Sequence, residues 1–397
     1  GSRPVADDIS VVVFITDMCG QGGGAAATPQ QLQDLFFSAP DNLAGYFASC
    51  SRGVASMSRT KTLVLGPVAL PCNGSNAGVN WTTTACSLPD YYGWMFAAEA
   101  WAAEQGVDLA PYRHRVLLTP KGHTTFMAPG TPACTWSGMA ILGPVGSFAG
   151  PTSSYATPGA YSYAWVAGDQ WDQVQAWFHE LGHNYNLRHA GTPAGGPYAD
   201  YSSAMGFCCL RRCMNPPNNW QLGWGDLVKG SSGPLAPGAT RTVVLPRQDL
   251  AAAHMARVTV DWLHTDEPVS IWLGYRQDVA PYDLPSEGRP GVFSGGVNIY
   301  SYPGASYIDT SNTQRLAILL PGRVWWESMY GAGLAVRVLS QNDTAAVVTV
   351  CRAMSDSELC GMGIDADCDG KVDSGDTDCA SHTYSPSPPP APPRPNP

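Results

Sequence analysis

The chain has 397 residues and a formal net charge of −10, and only 14% of its residues are charged. An acidic chain repels phosphate, which argues against nucleic acid as a partner, and no apolar run reaches the length of about 18 residues that would span a membrane. This length predicts two or three domains.

The first part of the chain alternates predicted strands with predicted helices. Residues 10–17 form a β-branched apolar run that is typical of a buried strand. A helix should begin after Thr28, with Gln31 placed for a capping box, and we expect it to continue to about Ser49. The next predicted elements are a strand at 60–70, a helix at 89–106, and strands at 113–120 and 161–168. This alternation favours an α/β layer architecture.

The next predicted helix starts near Asp169 and has one apolar face. Apolar side chains recur on it at spacings of three and four residues, at Trp171, Val174, Phe178, Leu181 and Tyr185. The same helix carries the segment HELGHNYNLRH, which runs from His179 to His189.

The histidines of this segment have the spacing of metal ligands. His179 and His183 are four residues apart, so both imidazoles lie on one helix face and can reach one zinc ion, while Glu180 is free to act on water. His189 lies six residues beyond His183, so the helix must end between them and the chain must turn back. Asn184, Asn186 and Arg188 make such a turn plausible, because asparagine tolerates the left-handed conformation.

The segment resembles the metzincin metallopeptidases, whose pattern is HExxHxxGxxH followed by a methionine turn. In this chain the segment that corresponds to the methionine turn is YSSAMG at 201–206, which contains Met205. Asn186 stands where the family pattern usually has glycine. FHELGHN at 178–184, SSAMGFC at 202–208, NNWQLGW at 218–224 and MCG at 18–20 are similar to the gametolysin group of green-algal metzincins. The resemblance covers about residues 10–265.

The resemblance implies a zinc endopeptidase that acts on hydroxyproline-rich wall glycoproteins. In that reading His179, His183 and His189 hold zinc, Glu180 is the general acid–base residue, and Met205 is a packed floor beneath the histidines. Some metzincins have a tyrosine two residues after the turn methionine. Phe207 occupies that position here, so we expect no assisting phenol there.

Simpler interpretations of these residues also exist. A lone HExxH segment occurs by chance in ordinary helices, and His189 could be a surface residue. The third histidine at the required offset and the methionine turn that follows favour zinc binding. The cysteines at 208, 209 and 213 could bind a second metal or form disulfides, and we favour disulfides.

From about Arg241 the sequence changes to short strands that Pro and Gly separate. The seven predicted strands are RTVVLP, MARVTVDWL, VSIWLGY, VNIYSY, RLAILLP, LAVRVLS and AAVVTVCR. No helical stripe remains in this region. The pattern predicts a β-sandwich at residues 241–352.

An acidic segment, DADCDGKVDSGD at 365–376, matches the calcium loop of an EF-hand. The predicted ligands are the side chains of Asp365, Asp367, Asp369, Asp373 and Asp376 and the carbonyl of Lys371. Asp376 replaces the usual glutamate, and no convincing helices flank the loop. Cys360, Cys368 and Cys379 indicate instead a disulfide-linked calcium loop that resembles thrombospondin repeats. The alternative is a solvated acidic linker.

The last segment, residues 381–397, contains 8 prolines in 17 residues. This composition predicts polyproline II, and its SPSPPP stretch resembles the glycosylated modules of plant and algal hydroxyproline-rich proteins. Glycans or neighbouring subunits would be needed to hold such a tail in one conformation.

The 12 cysteines are spread from Cys19 to Cys379 without a repeated CxxC spacing, which predicts a disulfide framework. Three N-glycosylation sequons, at Asn73, Asn80 and Asn342, agree with an oxidising compartment. We therefore expect a secreted, extracellular glycoprotein of a matrix, a cell wall or a cell surface.

Taken together, the sequence predicts a metzincin-like α+β or α/β catalytic domain, an all-β sandwich and a small disulfide and calcium module. The predicted domains are the peptidase at 1–240, the sandwich at 241–352, the calcium module at 353–380 and the proline-rich tail at 381–397. Zn²⁺ and Ca²⁺ are the expected cofactors, and extracellular glycoproteins are the expected substrates. The rival hypothesis is a structural glycoprotein of a wall or fibre, built on a peptidase-like domain.

Overall fold

A computed structural model of the chain describes residues 8–19, 23–76, 78–123, 134–145, 159–263, 265, 269–285, 295–307 and 309–380. These residues form a mixed α/β protein with several sheets. The helices are α1 (Pro29–Phe37), α2 (Leu43–Cys50), α3 (Leu88–Glu104), α4 (Val174–Asn184) and α5 (Pro216–Leu222). The strands are β1 (Asp8–Met18), β2 (Ser56–Leu70), β3 (Asn73–Asn76), β4 (Val79–Thr82), β5 (His114–Leu118), β6 (Gly138–Ala140), β7 (Ser162–Val166), β8 (Ala190–Gly191), β9 (Asp226–Ser232), β10 (Thr240–Pro246), β11 (Ala253–Thr259), β12 (Ser270–Arg276), β13 (Gly296–Ser301), β14 (Thr313–Leu319), β15 (Val324–Trp326), β16 (Leu334–Gln341) and β17 (Ala345–Arg352).

The first sheet has the strand order β2-β1-β5-β7-β6 and is the scaffold of the histidine helix. Its first four strands are parallel, and β6 is an antiparallel strand at the edge. Successive residues of β1 point to opposite faces: Val13 packs into the core that contains α1, α2 and α4, whereas Phe14 packs into the core that contains α3. Helices on both faces explain why β1 is an uninterrupted apolar run.

The predicted helix from Thr28 to about Ser49 is wrong in its extent, because two helices occupy that region. The predicted capping box is present: the Gln31 backbone N–H donates to the Thr28 hydroxyl at 3.2 Å, and the Thr28 N–H donates to the Gln31 side chain at 2.8 Å. Helix α1 then ends at Phe37, and Asn42 caps α2. Pro40 lies between them and has no N–H for a helical hydrogen bond.

The histidine helix begins later than predicted. A short 3₁₀ turn occupies residues 168–170, and α4 starts at Val174 rather than near Asp169. The predicted apolar face is present, because Val174, Phe178 and Leu181 are buried in the core beside the first sheet.

Each of the seven strands predicted after Arg241 is present, as β10 to β14, β16 and β17. They belong to a six-stranded sheet of order β8-β14-β13-β12-β11-β9 and a four-stranded sheet of order β10-β17-β16-β15. One apolar cluster joins the two sheets, with Ile271 and Leu273 from the first and Val336 and Val348 from the second. The two-residue strand β8, the seven-residue strand β9 and the three-residue strand β15 were not predicted.

The six-stranded sheet includes strands from both sides of residue 240. Strand β8 pairs with β14, and β9 pairs with β11, in both cases parallel. The division into a peptidase at 1–240 and a sandwich at 241–352 stays a prediction. The backbone pairing shows that these two parts of the chain share one sheet.

All twelve cysteines lie in the described residues and are paired in six disulfides. The pairs are Cys19–Cys72, Cys50–Cys213, Cys86–Cys134, Cys208–Cys209, Cys351–Cys368 and Cys360–Cys379. The predicted disulfide framework is therefore present. The cysteines at 208, 209 and 213 form disulfides, which is the alternative that the sequence favoured over a second metal site. Their sulfurs are therefore not available to a metal.

The sequons and the tail complete the description of the chain. Asn73 and Asn80 are exposed on the β3-β4 hairpin, and Asn342 lies in the turn between β16 and β17. Glycosylation at these positions stays a prediction. The proline-rich segment 381–397 lies outside the described residues. Among the helices that the structure describes, none has the length and hydropathy needed to cross a membrane.

Candidate metal centre and active site

The third histidine reaches the first two because α4 ends in a tight reversal. Asn186, one of the residues at which the sequence predicted a turn, has a left-handed backbone with φ of 67°. The Leu187 N–H donates to the Gly182 carbonyl at 3.2 Å, and the Asn186 N–H donates to the His183 carbonyl at 2.9 Å. These two bonds form a Schellman motif, which ends the helix and returns the chain towards it. His189 is thereby brought back beside the helix.

The structure brings the three predicted histidines together. One ring nitrogen from each of His179, His183 and His189 lies within 4.8 Å of the other two. The centroid of the His183 ring is 4.7 Å from the centroid of the His179 ring and 4.7 Å from that of the His189 ring. The centroids of the His179 and His189 rings are 5.5 Å apart. Three nitrogens bound to one tetrahedral zinc would be roughly 3.4 Å apart, so the observed spacing is close to the one that a shared ion requires.

Backbone carbonyls orient two of the imidazoles. Nδ1 of His179 lies 2.7 Å from the Ala204 carbonyl oxygen, and Nδ1 of His183 lies 2.7 Å from the Leu187 carbonyl oxygen. A carbonyl oxygen only accepts, so Nδ1 of each ring donates and Nε2 keeps its lone pair. This is the tautomer that a metal ligand needs, and the carbonyl partner holds the ring in place.

Burial keeps the three imidazoles neutral. It lowers the pKa of His179 to about 4 and that of His189 to about 3, and it lowers the pKa of His183 well below its usual value. The neighbouring imidazoles lower the pKa of His183 and His189 further. At neutral pH each ring therefore has the unprotonated nitrogen that metal binding requires. The donor set fits Zn²⁺, which prefers imidazole nitrogen in tetrahedral sites.

Glu180 is a buried carboxylate beside these rings, and burial raises its pKa well above the usual value. Its Oε2 atom has no hydrogen-bond partner among the described residues. A Cβ atom added at Gly138, on the edge strand β6, would lie 2.3 Å from Glu180 Oε1. The absence of a side chain at Gly138 therefore makes room for the carboxylate.

Met205 packs against α4, and its role as a floor beneath the histidines stays a prediction. Its side chain is fully buried, and a Cβ atom added at Gly182 would lie 2.7 Å from its sulfur. Helix α4 and the methionine turn are therefore in close contact. In the same turn, Ala204 supplies the carbonyl that orients His179.

Buried arginines hold the loop that contains Met205. Arg212 is fully buried and donates to the Tyr201 and Phe207 carbonyls, which lie on either side of Met205. Arg276, on β12, donates to the Ser202 carbonyl at 2.7 Å and pairs with Asp283 at 2.6 Å. Strand β12 lies far along the chain from the histidines, so sequence patterns could not identify this support.

A polar network anchors the C-terminal end of α4 to the first sheet. His114, on β5, is fully buried, with Nδ1 3.1 Å from Asn184 Oδ1 and Nε2 3.0 Å from the Tyr185 hydroxyl. The Asn184 amide donates to the Tyr163 carbonyl of β7 at 2.9 Å. These contacts fix the helix end from which the chain turns towards His189.

The histidines and Glu180 line a cleft of about 860 Å³. One wall is β6, and the aromatic side chains in the cleft are Trp136, Tyr198 and Phe207. The centroid of the Tyr198 ring lies 4.0 Å from the centroid of the His189 ring. Burial raises the pKa of Tyr198, and the charge of Glu180 raises it further, so the phenol and the carboxylate are electrostatically coupled. Tyr198 could not be predicted as a residue of the cleft, because its offset from the histidines follows no helix or strand period.

The predicted calcium residues are also partly brought together. Carboxylate oxygens of Asp365, Asp367 and Asp369 form one group, and those of Glu358, Asp367 and Asp376 form another, each within 4.8 Å. Asp373 instead accepts hydrogen bonds from the backbone N–H groups of Gly361 and Gly363. Glu358 was not among the calcium ligands predicted from the sequence.

The chain is similar in sequence to a known family and to a known protein. The sequence model of the family described as gametolysin peptidase M11 matches residues 9–278. The chain is also similar to the autolysin of Chlamydomonas reinhardtii, with 25% identity over 464 aligned residues that cover 94% of this chain and 70% of that protein. The family match includes α4, the methionine turn and β12.

Proposed function

Because the chain belongs to the gametolysin peptidase M11 family, we propose that it is a secreted, zinc-dependent endopeptidase of the metzincin type. Its proposed substrates are hydroxyproline-rich glycoproteins of an extracellular matrix or cell wall. The observation that carries the proposal is the convergence of His179, His183 and His189 beside Glu180 in one open cleft.

In the proposed mechanism the three neutral imidazoles hold the ion, and the Ala204 and Leu187 carbonyls keep His179 and His183 in the ligating tautomer. Zinc, when bound, supplies a Lewis acid that polarises the scissile carbonyl and acidifies water. Glu180 takes a proton from the attacking water on its free Oε2 and later returns it to the leaving amine. Its burial suits a residue that must alternate between charged and neutral forms at ordinary pH.

The shape and lining of the cleft support an extended, proline-rich substrate. Strand β6 is the outer strand of its sheet in the described part of the chain, so no described strand pairs with its other edge, which can receive an extended segment. Trp136, Tyr198 and Phe207 give the cleft an aromatic lining. Polyproline II segments dock on aromatic surfaces because they are already extended and lose little conformational entropy. The similarity to a protein named autolysin also supports a wall substrate.

The extracellular location is supported by the covalent structure. Six disulfides use all twelve cysteines, which favours an oxidising compartment such as the cell exterior. Exposed Asn73 and Asn80 are accessible to a glycosyltransferase.

The proposal is tested by metal content and digestion. The zinc-loaded protein is expected to contain one Zn²⁺ per chain and to cleave gelatin and hydroxyproline-rich wall glycoproteins. A zinc chelator such as 1,10-phenanthroline should abolish cleavage, and added Zn²⁺ should restore it. Metal content is measured by elemental analysis, and cleavage by mass spectrometry of the products.

Two results would contradict the proposal. The first is a zinc-loaded, disulfide-intact protein that cleaves neither substrate, which would favour the structural-glycoprotein hypothesis. The second is cleavage that persists after zinc has been removed.

Gly138 gives a separate prediction about the position of Glu180. Gly138→Ala is expected to reduce kcat/KM by about 100-fold, because the added methyl group displaces the carboxylate by an ångström or more. Zinc content and thermal stability should change little, because the atoms that must move belong to one side chain. Gly375→Ala is the matched control, since nothing lies within 4 Å of a Cβ atom there. Equal activity of the two variants would show that Gly138 does not position Glu180.

A further inference from the structure

The acidic module, residues 353–380, holds a second group of metal-ligating side chains. It contains eight acidic residues and a single basic residue, Lys371. The two carboxylate groups described above share Asp367, so they form one continuous cluster. The cluster therefore has five members: Glu358, Asp365, Asp367, Asp369 and Asp376.

Two of these carboxylates are buried, which distinguishes the cluster from a solvated acidic surface. Glu358 is 6% exposed and Asp376 is 3% exposed. Asp376 Oδ1 accepts a hydrogen bond from the Asp378 N–H at 2.7 Å, but Oδ2 is buried without a hydrogen-bond partner in the described residues. Asp365 Oδ1 is also buried without one. A buried, unpaired carboxylate oxygen is costly unless a positive charge lies beside it.

The basic side chains near the cluster approach it only at Asp369 in the described structure. The Lys371 ammonium lies 3.3 Å from Asp369 Oδ2 and is about half exposed. The Arg337 guanidinium, from β16, donates to the backbone carbonyl of Asp369. Neither side chain forms an ion pair with Asp376 in the described structure. Burial raises the pKa of Asp365 and Asp367, and the neighbouring carboxylates raise it further.

Glu358 is built into the loop although it precedes the EF-hand-like segment. Its Oε2 accepts from the Ala366 N–H at 2.8 Å, and its Oε1 accepts from the Asp373 N–H at 3.2 Å. These two bonds hold both halves of the loop around one carboxylate. Each Glu358 oxygen retains a second lone pair, which is available to a cation.

Both carboxylate oxygens of Asp373, at the ninth position of the loop, accept backbone hydrogen bonds. Its Oδ1 accepts from the Gly361 N–H at 2.6 Å, and its Oδ2 accepts from the Gly363 N–H at 3.1 Å. The carboxylate therefore holds the turn at 361–363. This arrangement leaves Glu358 as the carboxylate that approaches Asp367 and Asp376.

From this geometry we infer that one calcium ion binds in the acidic module, with carboxylate ligands from Glu358, Asp365, Asp367, Asp369 and Asp376. Glu358 takes the place in the ligand set that Asp373 would have in a sequential EF-hand loop. The donors are all oxygen, they are numerous, and they come from an irregular loop. This donor set suits Ca²⁺ better than Mg²⁺, which demands octahedral geometry, or Zn²⁺, which prefers nitrogen and sulfur.

The ion would join the module to the end of the sandwich. Cys368 lies within the loop and is bonded to Cys351 of β17, and the Met354 N–H donates to the Ala366 carbonyl at 2.8 Å. Calcium binding should therefore order residues 358–380 against β17. The inference does not depend on the peptidase activity, since none of its ligands lines the histidine cleft.

The experiment is a calcium titration of the zinc-loaded, disulfide-intact chain in calcium-free buffer. We expect calorimetry to give one Ca²⁺ per chain and weaker binding of Mg²⁺. Amide protection against hydrogen exchange should increase at 358–380 and should not change in α4. Glu358→Gln and Asp376→Asn should each weaken calcium binding on the order of tenfold or more. Asp356→Asn and Asp378→Asn, which remove exposed charges of the same module, are the controls and should bind like the parent.

Asp373→Asn distinguishes the inferred site from a sequential EF-hand loop. It should weaken binding less than Glu358→Gln does, because Asp373 is directed at the 361–363 turn. If Glu358→Gln disrupts the module without calcium, as near-ultraviolet circular dichroism would show, Asp376→Asn provides the test instead. The inference is overturned if calcium produces neither heat nor added protection. It is equally overturned if Asp376→Asn binds like the parent, or if Asp373→Asn has the largest effect.

Discussion

Replacing Glu180 with glutamine is expected to reduce peptide hydrolysis by about three orders of magnitude or more, while one Zn²⁺ stays bound. The amide has the shape of the carboxylate but cannot accept and return a proton. Burial disfavours charge at Glu180, so a neutral amide should be accommodated there without loss of stability. The three imidazoles and the carbonyls that orient them are unchanged in this variant.

The measurement compares kcat/KM, zinc content and thermal stability of the variant and the parent. Glu104→Gln is the matched control, because Glu104 is exposed at the end of α3. Hydrolysis that remains within tenfold of the parent would place the catalytic acid–base group elsewhere. Loss of zinc from the variant would show instead that Glu180 helps to hold the metal.

Replacing Arg276 with methionine is expected to lower the free energy of unfolding by about 3–5 kcal/mol. Arg276 is fully buried and is paired with Asp283, which is 6% exposed. Methionine fills much of the volume but leaves the Asp283 carboxylate buried without its cation. It also removes the donor to the Ser202 carbonyl, so the loop that contains Met205 should loosen and hydrolysis should fall.

Chemical unfolding with the disulfides intact measures this effect. Arg323→Met is the control, because Arg323 is exposed on the same half of the chain, and it should change stability by less than about 0.5 kcal/mol. The double variant Arg276→Met, Asp283→Asn should recover part of the loss, since it no longer buries a lone charge. If Arg276→Met is as stable as the control, the buried pair does not support the methionine turn.

The parts of the fold that the sequence predicted well have a local physical cause. Each strand predicted after Arg241 is a run of apolar or alternating residues, long enough for its pattern to be visible, and each is present. Strand β8 has two residues and β15 has three, too few to show any period. The helix predicted to continue to Ser49 was too long because its apolar pattern outweighed the interruption at Pro40.

The sequence by itself determined which residues form the candidate zinc site. A four-residue spacing places His179 and His183 on one helix face, and a left-handed Asn186 returns His189 to them, so every step depends on neighbours in the chain. The tertiary structure alone decided what surrounds those residues. Gly138 leaves room for Glu180, Arg276 holds the methionine turn, and Glu358 joins the carboxylates of the acidic segment at 365–376. These contacts join distant parts of the chain and depend on how sheets and loops pack, which leaves no period or motif in the sequence.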